Sequence, residues 1–501
     1  MALLGRNIVA NLAGSGWTAV MQLAFAPVFL HFLGLEAFGL IGVWLTLQAL
    51  FAALDLGIST TVNREFARLS VRQDARNDMR DLLRTFEILY WPIGILIGLG
   101  VVLLASPIAG QWLQGIHLDA ATTYEALLLV ALTLALQWPY DLYAGALLGW
   151  QRHIPLNAAL VAVATFRGPG AALVLWLVSP TIQAFFLWQA LCSGLQTSLV
   201  AVLAWRATAG PTSPRWRADL LWSIRRFAGG VLGISLLGAI LSQMDKVVVS
   251  NLLTLDAFGR YTLAALAAGG LSRVVGPLFM ALFPKFSEQL AIGDEKGLAD
   301  VYHRGTQLLS VLVFPAAVVM GLFAATVLRL WTQDMETARL TSATLSLLLV
   351  GTALNGVMHL PYALQLAHGW TSLAFWINAV ATLVLAPLVY VATGWWGMVG
   401  AAGIWALLNA IYVVIGVQLM HRRLLPGEQL RWYREDLLAP LAASLAVALP
   451  ARLTFGDALA GAGGVAILAA VWVTASVAAL LAASRVRPLA ASRLRAGSAS
   501  A

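Results

Sequence analysis

The stretch Leu33-Gly34-Leu35-Glu36-Ala37-Phe38-Gly39 returns 220 residues later as Leu253-Thr254-Leu255-Asp256-Ala257-Phe258-Gly259. Five of the seven positions are identical, and a sixth exchanges Glu for Asp. Further pairs follow at nearly the same offset: Pro139-Tyr140 and Pro361-Tyr362 at 222, Gly149-Trp150 and Gly369-Trp370 at 220, Asn157 and Asn378 at 221. Each dipeptide alone is weak; the shared spacing marks an internal repeat. Its nature depends on what fills the interval.

The interval is filled by hydrocarbon-like sequence. Of 501 residues, 60% are hydrophobic and only 11% are charged, 31 basic and 23 acidic, against roughly 25% charged in a soluble domain. Mean hydropathy is +0.82. A soluble fold of this size needs a charged shell that these residues cannot make, which excludes a soluble enzyme, a DNA-binding factor and a disordered scaffold. Apolar runs of about 20 residues, enough to span ~30 Å of hydrocarbon, fall near 8–33, 38–62, 84–108, 124–149, 155–178, 181–205, 225–251, 258–283, 305–330, 340–366, 371–393, 397–420, 437–452 and 458–483. They are continuous, not alternating, so they are helices and not barrel strands. Arg6 precedes a long apolar run without a small-residue cleavage site, which reads as a first membrane helix and not a removable signal peptide. The single Cys192 excludes an internal disulfide and a Cys-based metal cluster.

Basic residues fix the orientation, because they accumulate in cytoplasmic loops. With the N-terminus inside and every run crossing, 24 of the 31 Lys and Arg lie on the inner side. Only Arg260, Arg329, Arg339 and Arg452 lie at the outer side, and Arg167, Lys246 and Arg273 lie within helices. Both termini are therefore expected in the cytoplasm of a multi-pass inner (plasma) membrane protein. The net charge of +8 reports topology and not nucleic acid. Outer loops are short, the longest near 109–123, so the function must reside among the helices. No Walker motif and no histidine cluster is present, and neither a cofactor nor a metal is expected.

The repeat copies begin after the first and the seventh helix. A six-helix unit has even parity, so both copies share one orientation, related by an axis along the membrane normal. The expected fold is an all-α membrane protein of about 14 transmembrane helices. It comprises an N-terminal six-helix lobe (1–210), a C-terminal six-helix lobe (211–424), and helices 13–14 with a basic tail (425–501).

Charges inside the bilayer cost roughly 2.5–3.5 kcal/mol each on insertion scales and mark candidate sites. Arg167 lies in Phe166-Arg167-Gly168-Pro169-Gly170, and Arg273 lies between Gly269-Gly270 and Gly276-Pro277. Gly and Pro beside a buried cation imply a broken helix whose backbone can face a ligand. One guanidinium from each lobe suits a phosphate or diphosphate, which Arg binds with paired donors; the alternative is ion pairing, Arg167 with Asp141 or Arg273 with Asp55. Lys246 is a third candidate phosphate ligand, or snorkels to the outer interface. Asp55, Asp141 and Asp245 are candidates for ion or proton coupling, or for pairing with a nearby cation. Arginines at every fourth position over 64–84 form, on one helix, a cationic stripe that grips headgroups; Arg64 and Arg68 could also guide a phosphorylated substrate at a cytoplasmic entrance. Trp138 and Tyr140 could stack on sugar rings.

These motifs resemble a known family. The stretch 33–39, Leu54-Asp55-Leu56-Gly57 with Arg64-Glu65, Gly149-Trp150-Gln151-Arg152, Asp245-Lys246-Val247-Val248-Val249-Ser250, Asp256-Ala257-Phe258-Gly259-Arg260-Tyr261 and Leu282-Phe283-Pro284-Lys285 are similar to the polysaccharide transporters, the O-antigen (Wzx-type) flippases, of the multidrug/oligosaccharidyl-lipid/polysaccharide superfamily. The resemblance spans the first 420 residues. It implies a non-enzymatic flippase that moves an undecaprenyl-diphosphate-linked glycan to the periplasmic leaflet through a cationic cavity. Membrane lipids, a glycan polymerase and chain-length proteins are the implied partners. By analogy with the lipid II flippases, helices 13–14 would hold the lipid tail; a lipid II-type flippase is itself an alternative, ranked lower because no arginine motif of their N-terminal type is present. A drug or metabolite antiporter of the same superfamily is disfavoured by the central arginines, and a membrane glycosyltransferase or polymerase by the missing large outer loop.

Overall fold

A computed structural model describes residues 2–70, 76–115, 117–210 and 213–488, with backbone only for 2–9, 56–57 and 220–235. The described chain is a succession of helices: α1 (Ala2–Leu69), α2 (Arg76–Pro107), α3 (Ala120–Gln137), α4 (Tyr140–Gly149), α5 (His153–Leu177), α6 (Ile182–Ala207), α7 (Ala218–Leu252), α8 (Leu255–Gly269), α9 (Ser272–Ala291), α10 (Glu295–Leu322), α11 (Ala324–Thr332), α12 (Met335–Ala367), α13 (Ser372–Ile411), α14 (Val417–Leu424), α15 (Gln429–Arg431), α16 (Ala439–Phe455) and α17 (Gly461–Ala482). Wider π turns interrupt at Ile108–Trp112, Tyr412–Gly416 and Trp432–Leu438.

Eleven helical runs are long and apolar enough to cross a membrane. Two of them, Ala10–Asp55 and Ser372–Leu424, have 46 and 53 residues. At 1.5 Å per residue these are roughly 70 and 80 Å long, more than twice what one crossing needs. Each is broken at a glycine of positive φ, Gly34 (78°) and Gly397 (57°). At Gly397 the chain doubles back: a Cβ on Gly400 would stand 2.0 Å from the carbonyl oxygen of Ala392, residues that a straight helix holds about 12 Å apart. Each long run is thus two crossings, and with α7 the chain makes the fourteen expected. Helix ends repeat as the sequence does. The break at Gly34 is matched by the one between α7 and α8, and Gly149-Trp150 closes α4 as Gly369-Trp370 follows α12.

The helices form two compact units, Met1–Thr262 and Leu263–Ala501. In the first, the two copies of the opening motif lie against each other. A Cβ on Gly39 would stand 2.5 Å from the Leu255 carbonyl oxygen, and one on Gly259 would stand 2.1 Å from that of Leu35. Positions 35 and 255, like 39 and 259, are equivalent in the repeat, so the contact is reciprocal, as a local two-fold axis requires. These glycines serve close backbone approach, not backbone freedom. The acidic position of each copy is also structural. Glu36 is buried and accepts the backbone N–H groups of His117 at 3.0 Å and Leu118 at 2.7 Å, pinning the chain at 117–118, while Asp256 pairs with Arg260 one helical turn on.

In the second unit, α16 and α17 pack on α10 and α11 through Val319, Phe323, Ala448, Val471 and Ala475. A polar network fixes one end: the buried His303 donates from Nδ1 to Asp436 at 2.5 Å and contacts Glu428 at 3.0 Å through Nε2. Gln307 bonds Asp436 at 3.0 Å, and Arg485 bonds Asp300 at 2.7 Å. At the other end Arg329 bonds the Leu459 carbonyl, and Arg452 holds Asp457 through two bonds of 2.6 and 2.9 Å. Asp457 lies beyond the end of α16, and this paired bond holds its carboxyl below the usual carboxylate range.

The cationic stripe expected over 64–84 is divided. α1 ends at Leu69 and α2 begins at Arg76, so Arg64 and Arg68 share one helix end, and Arg76, Arg80 and Arg84 lie on the next helix. Arg72 lies outside the described residues, as do Arg493 and Arg495 of the tail.

Candidate functional site

Arg167 sits in the middle of α5, half-buried. Its guanidinium donates to Gln196 Oε1 at 3.0 Å and Ser193 Oγ at 3.3 Å, both on α6. Among the described residues no carboxylate comes within ion-pair distance, so the pairing with Asp141 weighed as an alternative does not form. The flanking glycines have a different role from the one expected. α5 runs unbroken past Pro169. A Cβ on Gly168 would stand 2.8 Å from the Phe25 ring, and one on Gly170 would stand 2.2 Å from Trp188. Trp188 also donates to the Arg167 carbonyl at 3.1 Å. The glycines thus admit two aromatic rings that hold the arginine's backbone in place.

Elsewhere the interior of the first unit is polar. Tyr140 and Asp141 open α4, both half-buried. Asp55 is buried and accepts the hydroxyl of Tyr90. Asp245, also buried, accepts the hydroxyl of Tyr261 at 2.5 Å. Lys246 donates to the Ser242 carbonyl at 2.9 Å and lies 3.4 Å from Asp245. The tyrosine partners were invisible in the sequence, because 35 residues separate Tyr90 from Asp55 and 16 separate Tyr261 from Asp245. Trp138 does not await a sugar: it is buried in the first unit's core with its ring 6.3 Å from that of Tyr90.

In the second unit the break expected near Arg273 is present. α8 stops at Gly269, α9 starts at Ser272, and Arg273 lies exposed in the first turn of α9, its backbone N–H bonded to the Gly270 carbonyl at 3.3 Å. Arg64 and Arg68 are both exposed and both bond Glu65.

The family described as "Polysaccharide biosynthesis protein" matches residues 4–290, more than half of the chain. The chain belongs to this family. The MatE family also matches, over residues 235–391, so the resemblance read from the motifs is borne out. A Shigella flexneri protein named as an O-antigen transporter is 24% identical over 183 residues, covering 36% of this chain and 43% of that protein. The succinoglycan biosynthesis transport protein ExoT of Rhizobium meliloti (strain 1021) is 25% identical over 325 residues, 64% of this chain and 60% of that protein. The chain thus spans about half the length of the curated relatives it matches. Among solved structures, the lipid II flippase MurJ in an inward closed conformation covers 93% of this chain and 97% of its own, with a TM-score of 0.66 at 12% identity. An inward-facing multidrug resistance transporter of the MATE family covers 83% and 96%, with a TM-score of 0.63 at 14% identity. The fold is therefore that of the transporters of this superfamily.

Proposed function

We propose that this multi-pass membrane protein is a flippase that moves an oligosaccharide on an undecaprenyl-diphosphate carrier from the cytoplasmic to the periplasmic leaflet by alternating access. The observation that carries the reading is Arg167, a cation in mid-helix whose bonds go to neutral oxygens only. An arginine in this position keeps its charge for a ligand that brings its own negative charge, and a diphosphate matches its paired donors. Lys246, and Arg273 on the first turn of α9, are proposed to neutralise phosphate oxygens as well. Asp55, Asp141 and Asp245 are proposed to couple an ion or proton to the cycle, and Arg64 and Arg68 to attract the phosphorylated headgroup. The carrier's chain stays in lipid, with α16 and α17 its proposed support. The glycine seam of α1 and α8 is proposed to lie at the periplasmic end and to part when the protein turns outward.

The test is reconstitution in proteoliposomes with undecaprenyl-diphosphate oligosaccharide, together with surface glycan in a deletion strain. Arg167→Ala, expressed normally, should lower transport roughly 10- to 100-fold, the weight of one charge-assisted bond pair. Arg167→Lys should recover part of it. Full transport by Arg167→Ala and Arg273→Ala overturns the phosphate reading. Transport of a cationic dye with none of the lipid-linked glycan would instead place the protein with the antiporters.

A further inference from the structure

The second unit encloses a half-open cavity of about 180 Å³ between α12, α13 and the turn at Tyr412–Gly416. Its polar lining is Asn355, His359, Tyr362, Gln365, Asn378 and Tyr412, and no charged residue lines it among those described. Part of the hydrogen-bonding capacity is already spent. Asn355 donates to Asn409 at 2.9 Å, Tyr412 donates to Asn378 Oδ1 at 2.8 Å, and His359 Nδ1 meets the Asn355 carbonyl at 3.0 Å. Gln365 is different: it is 5% exposed, and its amide oxygen has no partner. A buried amide oxygen without a partner is destabilising, and its residue lines a cavity. The rings of Tyr362 and Tyr412 make part of the wall aromatic. Phe279 of α9 backs them, nearly parallel to Tyr362 with ring centres 6.3 Å apart and edge-on to His359 at 6.4 Å.

The repeat makes the arrangement informative. Pro361-Tyr362 and Asn378 correspond to Pro139-Tyr140 and Asn157 of the first unit. There Asn157 is consumed internally, donating to Asn11 at 2.7 Å and to the His153 carbonyl at 2.8 Å. In the second unit the equivalent asparagine fronts open space.

We propose that this cavity is a saccharide subsite that takes one neutral sugar ring. Amides that both donate and accept match adjacent ring hydroxyls, the aromatic wall matches the ring's C–H face, and its walls carry no cation to bind a sugar acid or phosphate. The assignment rests on the flippase reading for the identity of the cargo, since the ring would be part of the glycan on the carrier.

The experiment measures binding to the purified full chain in nanodiscs. The probes are undecaprenyl diphosphate, the same carrier bearing one neutral hexose, and a methyl hexoside alone. In the wild type the hexose should tighten carrier binding about tenfold, as one or two net hydrogen bonds give. Gln365→Leu and Asn378→Leu should each erase that increment and leave the bare carrier's affinity unchanged. Arg167→Ala should weaken both carrier forms equally and keep the increment. A hexose increment that survives in both leucine variants overturns the proposal, as does a wild type without any increment. If the leucine variants do not fold, methyl deoxyhexosides decide on the wild-type protein: loss of single ring hydroxyls must weaken binding, and unchanged binding overturns the subsite. Failure of the flippase reading looks different. Neither carrier form would then bind, while the methyl hexoside still binds unless Gln365 is replaced.

Discussion

Gly259→Ala is the sharpest perturbation of the repeat motif. The new methyl would stand 2.1 Å from the Leu35 carbonyl oxygen and 3.3 Å from the Gly39 nitrogen. A carbon next to a carbonyl oxygen rests at about 3.3–3.6 Å, so α8 and the second half of α1 must separate by roughly 1.2 Å. Gly39→Ala asks for less, about 0.8 Å by the same standard, since its methyl would stand 2.5 Å from Leu255 O. Both obstacles are backbone, which cannot swing aside as a side chain would. Overpacking of this kind costs typically 1–3 kcal/mol, with Gly259→Ala expected near the top of that range and Gly39→Ala near its middle. If the seam is one end of an alternating-access cycle, that cost falls on the closed conformer and shifts its population by about 5- to 150-fold. The double variant should cost less than the sum, because the first methyl already opens the gap that the second needs.

The seam has a convenient reporter beside it. Gln114 and Thr254 form a parallel backbone bridge, and Leu255 N–H donates to the Gln114 carbonyl at 2.8 Å. The protein's own Cys192 is buried, so a Gln114→Cys/Thr254→Cys pair can be oxidised selectively. Cross-linking should be fast in an otherwise wild-type background and at least several-fold slower with Gly259→Ala. Gly110→Ala is the control, because nothing lies within 4 Å of its added Cβ, and it should cross-link at the original rate. Equal rates for Gly259→Ala and the control, with equal unfolding temperatures, would refute the seam as a tight contact and with it the reason offered for the repeat.

Other consequences are simpler. Arg167→Met should leave the unfolding temperature unchanged or raise it while lowering transport as Arg167→Ala does, because a half-buried cation held by neutral partners costs stability that an apolar residue does not; a large fall in melting temperature would make Arg167 a structural residue. Glu36→Gln should cost about 1–3 kcal/mol and speed amide exchange at His117 and Leu118, whose N–H groups it accepts. Asp436→Asn should cost about 1.5–3 kcal/mol, the worth of a charged hydrogen bond, and expose the chain after Leu424 to limited proteolysis, since Asp436 joins His303 and Gln307. Asp457→Asn should destabilise by less than about 1 kcal/mol at pH 7, because the pair with Arg452 is part-exposed. The Asp457 carboxyl is held low, so its contribution is complete above about pH 4, the unfolded value. It fades as pH falls through the folded value, where variant and wild type should melt alike.

The sequence was legible where one physical term dominates. Fourteen apolar runs, one per crossing, follow from the bilayer's thickness, and the breaks at Gly34 and Gly397 fall between those runs. Charge in the interior was legible for the same reason: a cation in hydrocarbon is costly, so Arg167 stands out before any partner is known. Partners were not legible, because they depend on which faces meet. Nothing near Asp55 announces Tyr90, and nothing near His303 announces Asp436, 133 residues on.

Glycine is where the reading of type most needed the reading of place. Around Arg167 the pattern Gly-Pro-Gly suggested a broken helix, yet α5 continues and the glycines are gaps for Phe25 and Trp188. Around Arg273 a similar abundance of glycine does break the helix, between α8 and α9. The difference is what stands opposite. Gly168 and Gly170 face rings within 3 Å, whereas Gly269, at the break, faces nothing within 4 Å. A glycine kept for clearance fixes its neighbour's backbone; at Gly269 the open space leaves the chain room to turn. By that criterion the two arginines are presented differently: Arg167 is mounted on an unbroken helix with its backbone held by Trp188, and Arg273 follows directly on a break. If both meet a diphosphate, the fixed one should set the position of binding. Conservative replacement should then be less well tolerated at 167 than at 273: Arg167→Lys should lose more transport than Arg273→Lys, and the reverse order would argue that the break, and not the fixed guanidinium, defines the site.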